Sequence, residues 1–434
     1  MKIIRIPVLI LIALILFQPA LAQSDAPLAI VMTADGPIMP PMLEYFKRGI
    51  KTAEQRNAEV IIIQLNTPGG SVDTMLSMIE EMRASEVPVV VYVSPNDAIA
   101  GSAGALITMA GHASAMAPKT AIGAASPIDS SGADIESTLQ TKVKEILKAR
   151  ARSLVEDRGT RAINLAEAMI DDAKAVTAKE AFDAGLIDFI ADDTEDLLQA
   201  LNGFTVQLQN SRHTFKTENI RTQDLNISFI EQLLLLLTDP NIAFLLLAIG
   251  VQAVLIEISS PGGWVAGFIG TVCLTLAVYG MGVLPINWFG VIFLLIAFVL
   301  FILDIKAPTH GALTTAGVAS FIIGALVLFN SPGTPQFQRV SVPLVVGMGI
   351  FLGLLTFTVL MFAIRAQRAP VRIGVESLIG RTGTAKSFSH EAGQVQVGSE
   401  LWSAEKADES ESIRKGDLIE VVEVRGLRLI VKKK

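Results

Sequence analysis

The chain has 434 residues, a net charge of −7, 51% hydrophobic and only 18% charged side chains, and a mean hydropathy of +0.52. The length allows two or three domains, and the balance excludes an ordinary soluble protein, in which about a quarter of residues are charged. The acidic charge argues against nucleic acid as the main partner, and a lone cysteine, Cys273, excludes an intramolecular disulfide and a multi-thiolate zinc site.

In chain order, the N-terminus reads as a secretory signal. Lys2 and Arg5 precede an apolar core from Ile6 to Phe17, and Ala20-Leu21-Ala22 puts small residues where a signal peptidase reads. A signal peptide over residues 1–22 is expected, which delivers the next domain outside the cytoplasm. An uncleaved anchor is the alternative, but a membrane span needs ~20 apolar residues.

Residues 26–204 alternate apolar β-like runs with helical patterns. Strands are expected near Leu28–Met32, Val60–Leu65, Val87–Val93 and Ala115–Ile122. Helices are expected near Pro41–Arg56, Ser71–Ser85 and from the Ser102 turn to Met109. Such alternation predicts βαβ units around a parallel sheet. Residues 205–240 are expected as a linker, polar from Thr205 to Asp224 with at most a short strand.

From 241 to 364 the pattern becomes that of a membrane domain. Five spans are predicted, Asn241–Ile258, Trp264–Val283, Asn287–Ile305, Ala312–Phe329 and Val342–Ile364, each near the length a bilayer requires. A single run of this kind is compatible with a buried core helix; five in succession are not. With the N-terminal domain outside, five spans put the C-terminus inside. Lys306, Arg365, Arg368 and Arg372 then fall on the inner side, as positive-inside orientation demands, with Arg339 the exception. Residues 374–434 return to short alternating runs between Gly or charged turns, which predicts a small all-β barrel of the OB type. Trp402 and Phe388 are its only aromatics, so a protein contact fits it better than nucleic acid.

The chemistry centres on Ile99-Ala100-Gly101-Ser102-Ala103-Gly104-Ala105, where small residues at a strand-to-helix turn leave one hydroxyl uncovered. Acyl-transfer nucleophiles often occupy such turns. A nucleophilic serine needs oxyanion donors and a base. For donors, the run Val60 to Asn66 ends in Thr67-Pro68-Gly69-Gly70-Ser71 before a helix. Gly69 and Gly70 allow a close backbone approach, and a helix N-terminus favours negative charge. The N–H groups of Gly70 and Ala103 are the candidate oxyanion hole. Alone, Pro-Gly-Gly is only a turn; the Ser102 turn gives it weight.

For the base, His112 lies ten residues past Ser102, ~15 Å along a continuous helix and out of reach. His213, His310 and His390 lie in the linker, the membrane region and the inner domain. Lysine remains, since burial or a neighbouring cation can lower its pKa. Lys119, Lys142, Lys144 and Lys148 come after Ser102, the last three on one predicted helix, Glu136–Arg158. Most of that lysine-rich face is solvated, and spacing alone does not choose among them.

Three motifs in order, Asn66-Thr67-Pro68-Gly69-Gly70-Ser71, Gly101-Ser102-Ala103-Gly104 and Ile122-Gly123-Ala124-Ala125-Ser126-Pro127, resemble the Clp-protease-like, crotonase-type domain of NfeD membrane proteases. The likeness runs on through Lys142, Ala151-Arg152-Ser153-Leu154 and Asp157-Arg158-Gly159. It reaches the membrane region in Leu237-Thr238-Asp239-Pro240-Asn241 and Glu257-Ile258-Ser259-Ser260-Pro261-Gly262, and the tail in Glu376-Ser377-Leu378-Ile379-Gly380, Gly393-Gln394-Val395, Trp402-Ser403-Ala404 and Gly426-Leu427. It departs in having Ala100-Gly101 where the family often has Ala-Ala or Ala-Ser.

The resemblance implies a Ser-Lys dyad whose lysine lies ten residues before the basic-Ser-Leu element, which maps onto Lys142, with Lys144 as runner-up. It implies a membrane-anchored serine endopeptidase, needing no cofactor, that cuts extended apolar segments of proteins. Stomatin-like membrane proteins are the implied partners. The expected setting is the cell (inner) membrane, with the protease domain outside, the OB domain in the cytoplasm, and the chain as a homo-oligomer. Two other readings compete. One is a non-catalytic scaffold with a degenerate Clp-like domain. The other is a crotonase-type enzyme acting on acyl-CoA, disfavoured by an extracytoplasmic location where CoA is not expected.

Overall fold

A computed structural model describes residues 26–127, 137–259, 263–306, 309, 311–331, 334–368, 375–407 and 411–434. The predicted signal peptide and His310 lie outside them.

The N-terminal domain opens with strand β1 (Leu28–Asp35), helix α1 (Pro40–Gln55), β2 (Val60–Asn66), α2 (Val72–Ala84) and β3 (Val89–Val93). Next come β4 (Ile99–Gly101), α3 (Ala103–Ala110), β5 (Ala113–Met116), β6 (Ala121–Gly123), α4 (Ser137–Leu154) and α5 (Thr160–Asp171). The domain continues through β7 (Ala175–Thr177), α6 (Ala178–Asp183), β8 (Phe189–Ile190), α7 (Thr194–Leu201), β9 (Thr205–Gln207), β10 (Arg212–Thr214), β11 (Arg221–Asp224) and α8 (Phe229–Leu236).

The main sheet has six parallel strands in the order β11-β1-β2-β3-β5-β8. Its strands read as unbroken apolar runs because both faces are covered. In β2, Ile61, Ile63 and Leu65 pack into one core with α1 and α2; Val60 and Ile62 pack into the other, with Leu197 and Leu201 of α7.

Two expectations need correction. Ala115–Ile122 is not one strand. β5 belongs to the main sheet, whereas β6 pairs with β4 and β7 in a separate three-stranded sheet. A turn at Pro118-Lys119, with Lys119 at φ 63°, separates them. Nor is 205–240 a linker. β11 joins the edge of the main sheet, Leu28 opposite Arg221, and β9 and β10 form a hairpin. All four side chains of β11 are exposed; backbone pairing and an Arg56–Gln223 hydrogen bond hold it, and no apolar pattern marks it.

His112, set aside as a base, has a structural role. Val89 N–H donates to its Nδ1 at 3.1 Å. Burial, helped by the Arg83 charge, lowers its pKa to about 4 from the ordinary 6.5. The unfolded chain therefore takes up a proton near pH 6.5 that the folded chain refuses until about pH 4. Stability should fall by about 3 kcal/mol as pH drops through that window. Denaturant titrations across it should show a shallower slope for His112→Asn, which keeps an acceptor without a titrating group.

Beyond α8 come five apolar helices: α9 (Pro240–Ser259), α10 (Val265–Val283), α11 (Trp288–Lys306), α12 (Ala312–Phe329) and α13 (Val342–Arg368). Each coincides with a predicted span. Pro240–Ile258, Val265–Val283 and Ala312–Phe329 are long and apolar enough to cross a membrane; Trp288–Asp304 and Val342–Thr358 are shorter apolar stretches. Glycines let these helices close up: a Cβ on Gly290 would lie 2.4 Å from Leu328 N.

A second compact unit begins at Phe357. It carries a closed barrel of five strands, β12 (Thr382–Ser389), β13 (Ala392–Val397), β14 (Glu400–Lys406), β15 (Leu418–Arg425) and β16 (Arg428–Lys433), in the order β12-β13-β14-β16-β15. Val395, Ile419, Val421 and Leu429 fill its interior. This is the OB-type barrel the alternating runs predict.

Candidate active site

Two strand ends build the site. β2 is broken by Pro68, Gly69 and Gly70 turn the chain, and Ser71 caps α2 by accepting from Thr74 N–H at 3.3 Å. Beside it, β4 delivers Ser102 as the N-cap of α3. The strand ends are tied together: Thr67 N–H donates to Ile99 O at 2.7 Å, and Gly101 N–H to Thr67 O at 2.9 Å. The glycines of Gly101-Ser102-Ala103-Gly104 serve this closeness. A Cβ on Gly101 would lie 3.2 Å from Pro68 O, and one on Gly104 would lie 2.5 Å from Thr67 Cγ2.

Ser102 has φ 51° and ψ −115°, a backbone conformation that non-glycine residues avoid. Its N–H donates to Gly123 O at 2.8 Å, which holds the strained turn. Gly69 sits directly against it, at φ +115°: a Cβ there would meet Ser102 Cβ at 2.6 Å and Oγ at 3.1 Å.

The donors are placed by backbone geometry. Gly69 O accepts from Ile38 N–H at 2.8 Å, and Ser71 N–H donates to Ile38 O at 2.9 Å. In a planar trans peptide the N–H of Gly70 points opposite to that carbonyl, away from Ile38. Ala103 N–H opens α3, where no intrahelical acceptor exists. Gly70 thus follows the glycine that touches Ser102, and Ala103 follows Ser102 itself.

Sequence reasoning gave Thr67 no role, and it has one. Its hydroxyl, fully buried, accepts from Gly69 N–H at 3.1 Å and donates to Gly69 O at 3.2 Å. Asn66 helps similarly: its Oδ1 accepts from Ile99 N–H at 3.1 Å while its Nδ2 donates to Asp35 at 3.0 Å. A threonine just before a Pro-Gly-Gly turn is the available signal. Thr67→Val keeps the volume and strands Gly69 N–H. It should lower kcat roughly 10- to 100-fold at near-constant KM, with Thr67→Ser restoring most of the loss in steady-state kinetics.

The lysines separate on α4. Val143, Leu147 and Ala151 form its inward stripe. Lys144 and Lys148 lie one position past the stripe, toward α5. Lys144 Nζ donates to Asp171 O at 3.2 Å, and Lys148 pairs with Asp171 at 2.8 Å and Glu145 at 3.2 Å. The hydrogen bond to Asp171 raises the Lys148 pKa and keeps it charged. Lys119 is exposed in its turn. Lys142 lies one position before the stripe, on the opposite flank, exposed and without a hydrogen bond to Ser102 among the described residues. The structure therefore brings Ser102, with Ala103 after it, against the Gly69-Gly70 loop, and among the described residues no hydrogen bond joins Lys142 to them. Residues 128–136, which lead into α4, lie outside the described residues. Among the described residues no cluster of three His, Cys, Asp or Glu side chains is placed to hold a metal.

Beside the loop opens a cavity of about 540 Å³, bordered by Gly36, Pro37 and Pro68 on one side and by Phe229, Leu233 and Leu236 of α8 on the other.

Known proteins divide along the same lines. Residues 35–211 match the NfeD1b N-terminal domain, 241–362 the NfeD integral membrane domain, and 375–433 the NfeD-like C-terminal, partner-binding domain. The membrane-bound protease PH1510 of Pyrococcus horikoshii is 34% identical over 437 residues, covering 98% of this chain and 97% of that protein. The chain belongs to the NfeD family. Membrane protein NfeD1b of Bacillus subtilis is 25% identical over 331 residues, 74% of this chain and 70% of that one. Among solved structures, a lysine-to-alanine mutant of the 1510-N membrane-bound stomatin-specific protease, in complex with a substrate peptide, is 34% identical. It covers 48% of this chain and 96% of its own, with a TM-score of 0.45.

Proposed function

We propose that this NfeD protein is a membrane-anchored serine endopeptidase with a Ser102-Lys142 dyad. The observation that carries the reading is the strained Ser102 turn held against Gly69 of the Gly69-Gly70 loop; the Gly70 and Ala103 N–H groups are the proposed oxyanion donors. Neutral Lys142 takes the Ser102 Oγ proton as the oxygen attacks the scissile carbonyl. Gly70 and Ala103 N–H groups hold the resulting oxyanion. The lysine then gives its proton to the leaving amine, and water hydrolyses the acyl-enzyme by the same route in reverse.

The substrates are apolar segments of membrane-associated proteins, and stomatin-like proteins are the partner class. The named specificity of the archaeal relative supports this. Five spans put the protease domain outside and the OB domain inside the cell membrane, and the chain acts as a homo-oligomer. The C-terminal barrel matches a partner-binding domain, which supports its use in assembly.

One observation favours the scaffold reading: Lys142 is exposed and, among the described residues, makes no hydrogen bond with Ser102. Cleavage decides between them. A soluble piece spanning 26–236, which retains β11 and α8, should hydrolyse apolar peptides, and its Ser102→Ala form should not. Absence of cleavage by the unaltered piece and by the full chain in vesicles would support the scaffold.

A further inference from the structure

Helix α8 is built inside out. Its charged residue, Glu231, is 9% exposed, whereas Phe229 is 79%, Ile230 67% and Leu236 51% exposed. An exposed apolar surface of this size beside a buried carboxylate calls for an explanation; scattered exposed leucines do not. Glu231 is buried because it grips α1. Arg48 donates to it twice, Nε to Oε1 at 2.8 Å and Nη2 to Oε2 at 2.7 Å, and the carboxylate also completes a capping box with Ser228. The bidentate pair fixes which face of α8 turns outward.

Two independent features say what covers that face. First, only Leu237, Thr238 and Asp239 separate α8 from the first membrane-crossing helix, α9. Second, the end of the helical bundle at this level carries an aromatic pair. The last turn of α10 abuts the segment after α8: a Cβ on Gly280 would lie 2.5 Å from Leu237 O. The short connection from α10 therefore places Trp288 and Phe289, the first residues of α11, at the same end. They are 72% and 71% exposed. Exposed aromatics at one end of apolar helices mark the membrane–water boundary.

We propose that α8 is an interfacial helix, lying in the outer headgroup layer with Phe229, Ile230 and Leu236 in the acyl boundary. The Arg48–Glu231 pair rivets the protease domain onto it. Lipid is the occupant, as for other short helices that bury one apolar face in the interface. The cavity between α8 and Pro68 then opens at the membrane surface. The proposal rests on reading α9 as a membrane span.

The test uses the full chain in liposomes. Cys273 is the single cysteine, so Cys273→Ser gives a clean background for nitroxide labels at Ile230→Cys and Leu236→Cys. Lys47→Cys, at a position of α1 whose side chain is 41% exposed, serves as the aqueous control, and Ile249→Cys, at an exposed position of α9, as the bilayer control. Collision with oxygen should exceed collision with a water-soluble nickel chelate several-fold at 230 and 236, at shallower depth than 249. The reverse should hold at 47. Nickel accessibility at 230 and 236 equal to that at 47 overturns the proposal. Labels there shielded from both reagents overturn it too, by showing a protein partner on this face. A water-exposed label at 249 refutes instead the membrane reading of α9.

Discussion

Replacing Ser102 by alanine is expected to lower kcat by about 10⁴-fold or more, because removing a nucleophile ends the acyl-enzyme route and leaves only the oxyanion site and binding. The variant should remain folded. Alanine fits the space of serine, and the backbone contacts that hold the turn, Ser102 N–H to Gly123 O and Gly101 N–H to Thr67 O, do not use the side chain. Peptide affinity should therefore persist while turnover disappears. A parallel Gly69→Ala variant should also lose activity, but by another route. Its Cβ would lie 2.6 Å from Ser102 Cβ at a φ of +115°, so the loop must move and the oxyanion donors with it. Measuring peptide binding and turnover together separates the two: Ser102→Ala should bind and not cut, and Gly69→Ala should do both poorly. Turnover surviving in Ser102→Ala would remove this serine from the chemistry.

A feature is legible in the sequence to the extent that local residue chemistry alone produces it. β1, β2 and β3 are buried on both faces, so their apolar runs announce them. The Ser102 and Gly69-Gly70 turns are legible because each requires small residues where backbones approach. β11 is not, since an edge strand with exposed side chains needs only its N–H and C=O groups. The split between β5 and β6 is hidden for a related reason: both are apolar, and only the sheet each joins tells them apart. Thr67 acts through a buried hydroxyl, and its methyl packs where Gly104 carries no side chain, a contact no local pattern records. The same holds for α8, which falls in the stretch expected as a linker. Its orientation comes from Arg48, 183 residues away along the chain from Glu231.

The Lys142 assignment comes from the family resemblance, and the helix geometry that separates it from Lys144 and Lys148 frames the second large effect. With 100° per residue, positions one before and one after an inward stripe fall on opposite flanks. Val143 and Leu147 set the stripe, so Lys142 takes one flank while Lys144 and Lys148 take the flank facing Asp171. Lys148, engaged by Asp171 and Glu145, is stabilised with its proton on, the wrong state for a base, and Lys144 is held by the Asp171 carbonyl. Lys142→Ala should therefore lower kcat by roughly 10²–10⁴-fold, whereas Lys144→Ala should retain most activity. Because a lysine base must be neutral, the rate for the unaltered protein should rise with pH, and Lys142→Ala should flatten that rise. Lys142→Arg keeps the charge but never deprotonates, so it should be as inactive as the alanine form. Pre-steady-state acylation, followed across pH for these variants, provides the measurement. A flattened profile in Lys144→Ala with a normal one in Lys142→Ala would move the base by two residues to the other flank of α4. Loss of activity in neither variant would leave Ser102 without a lysine partner and remove the dyad from the mechanism.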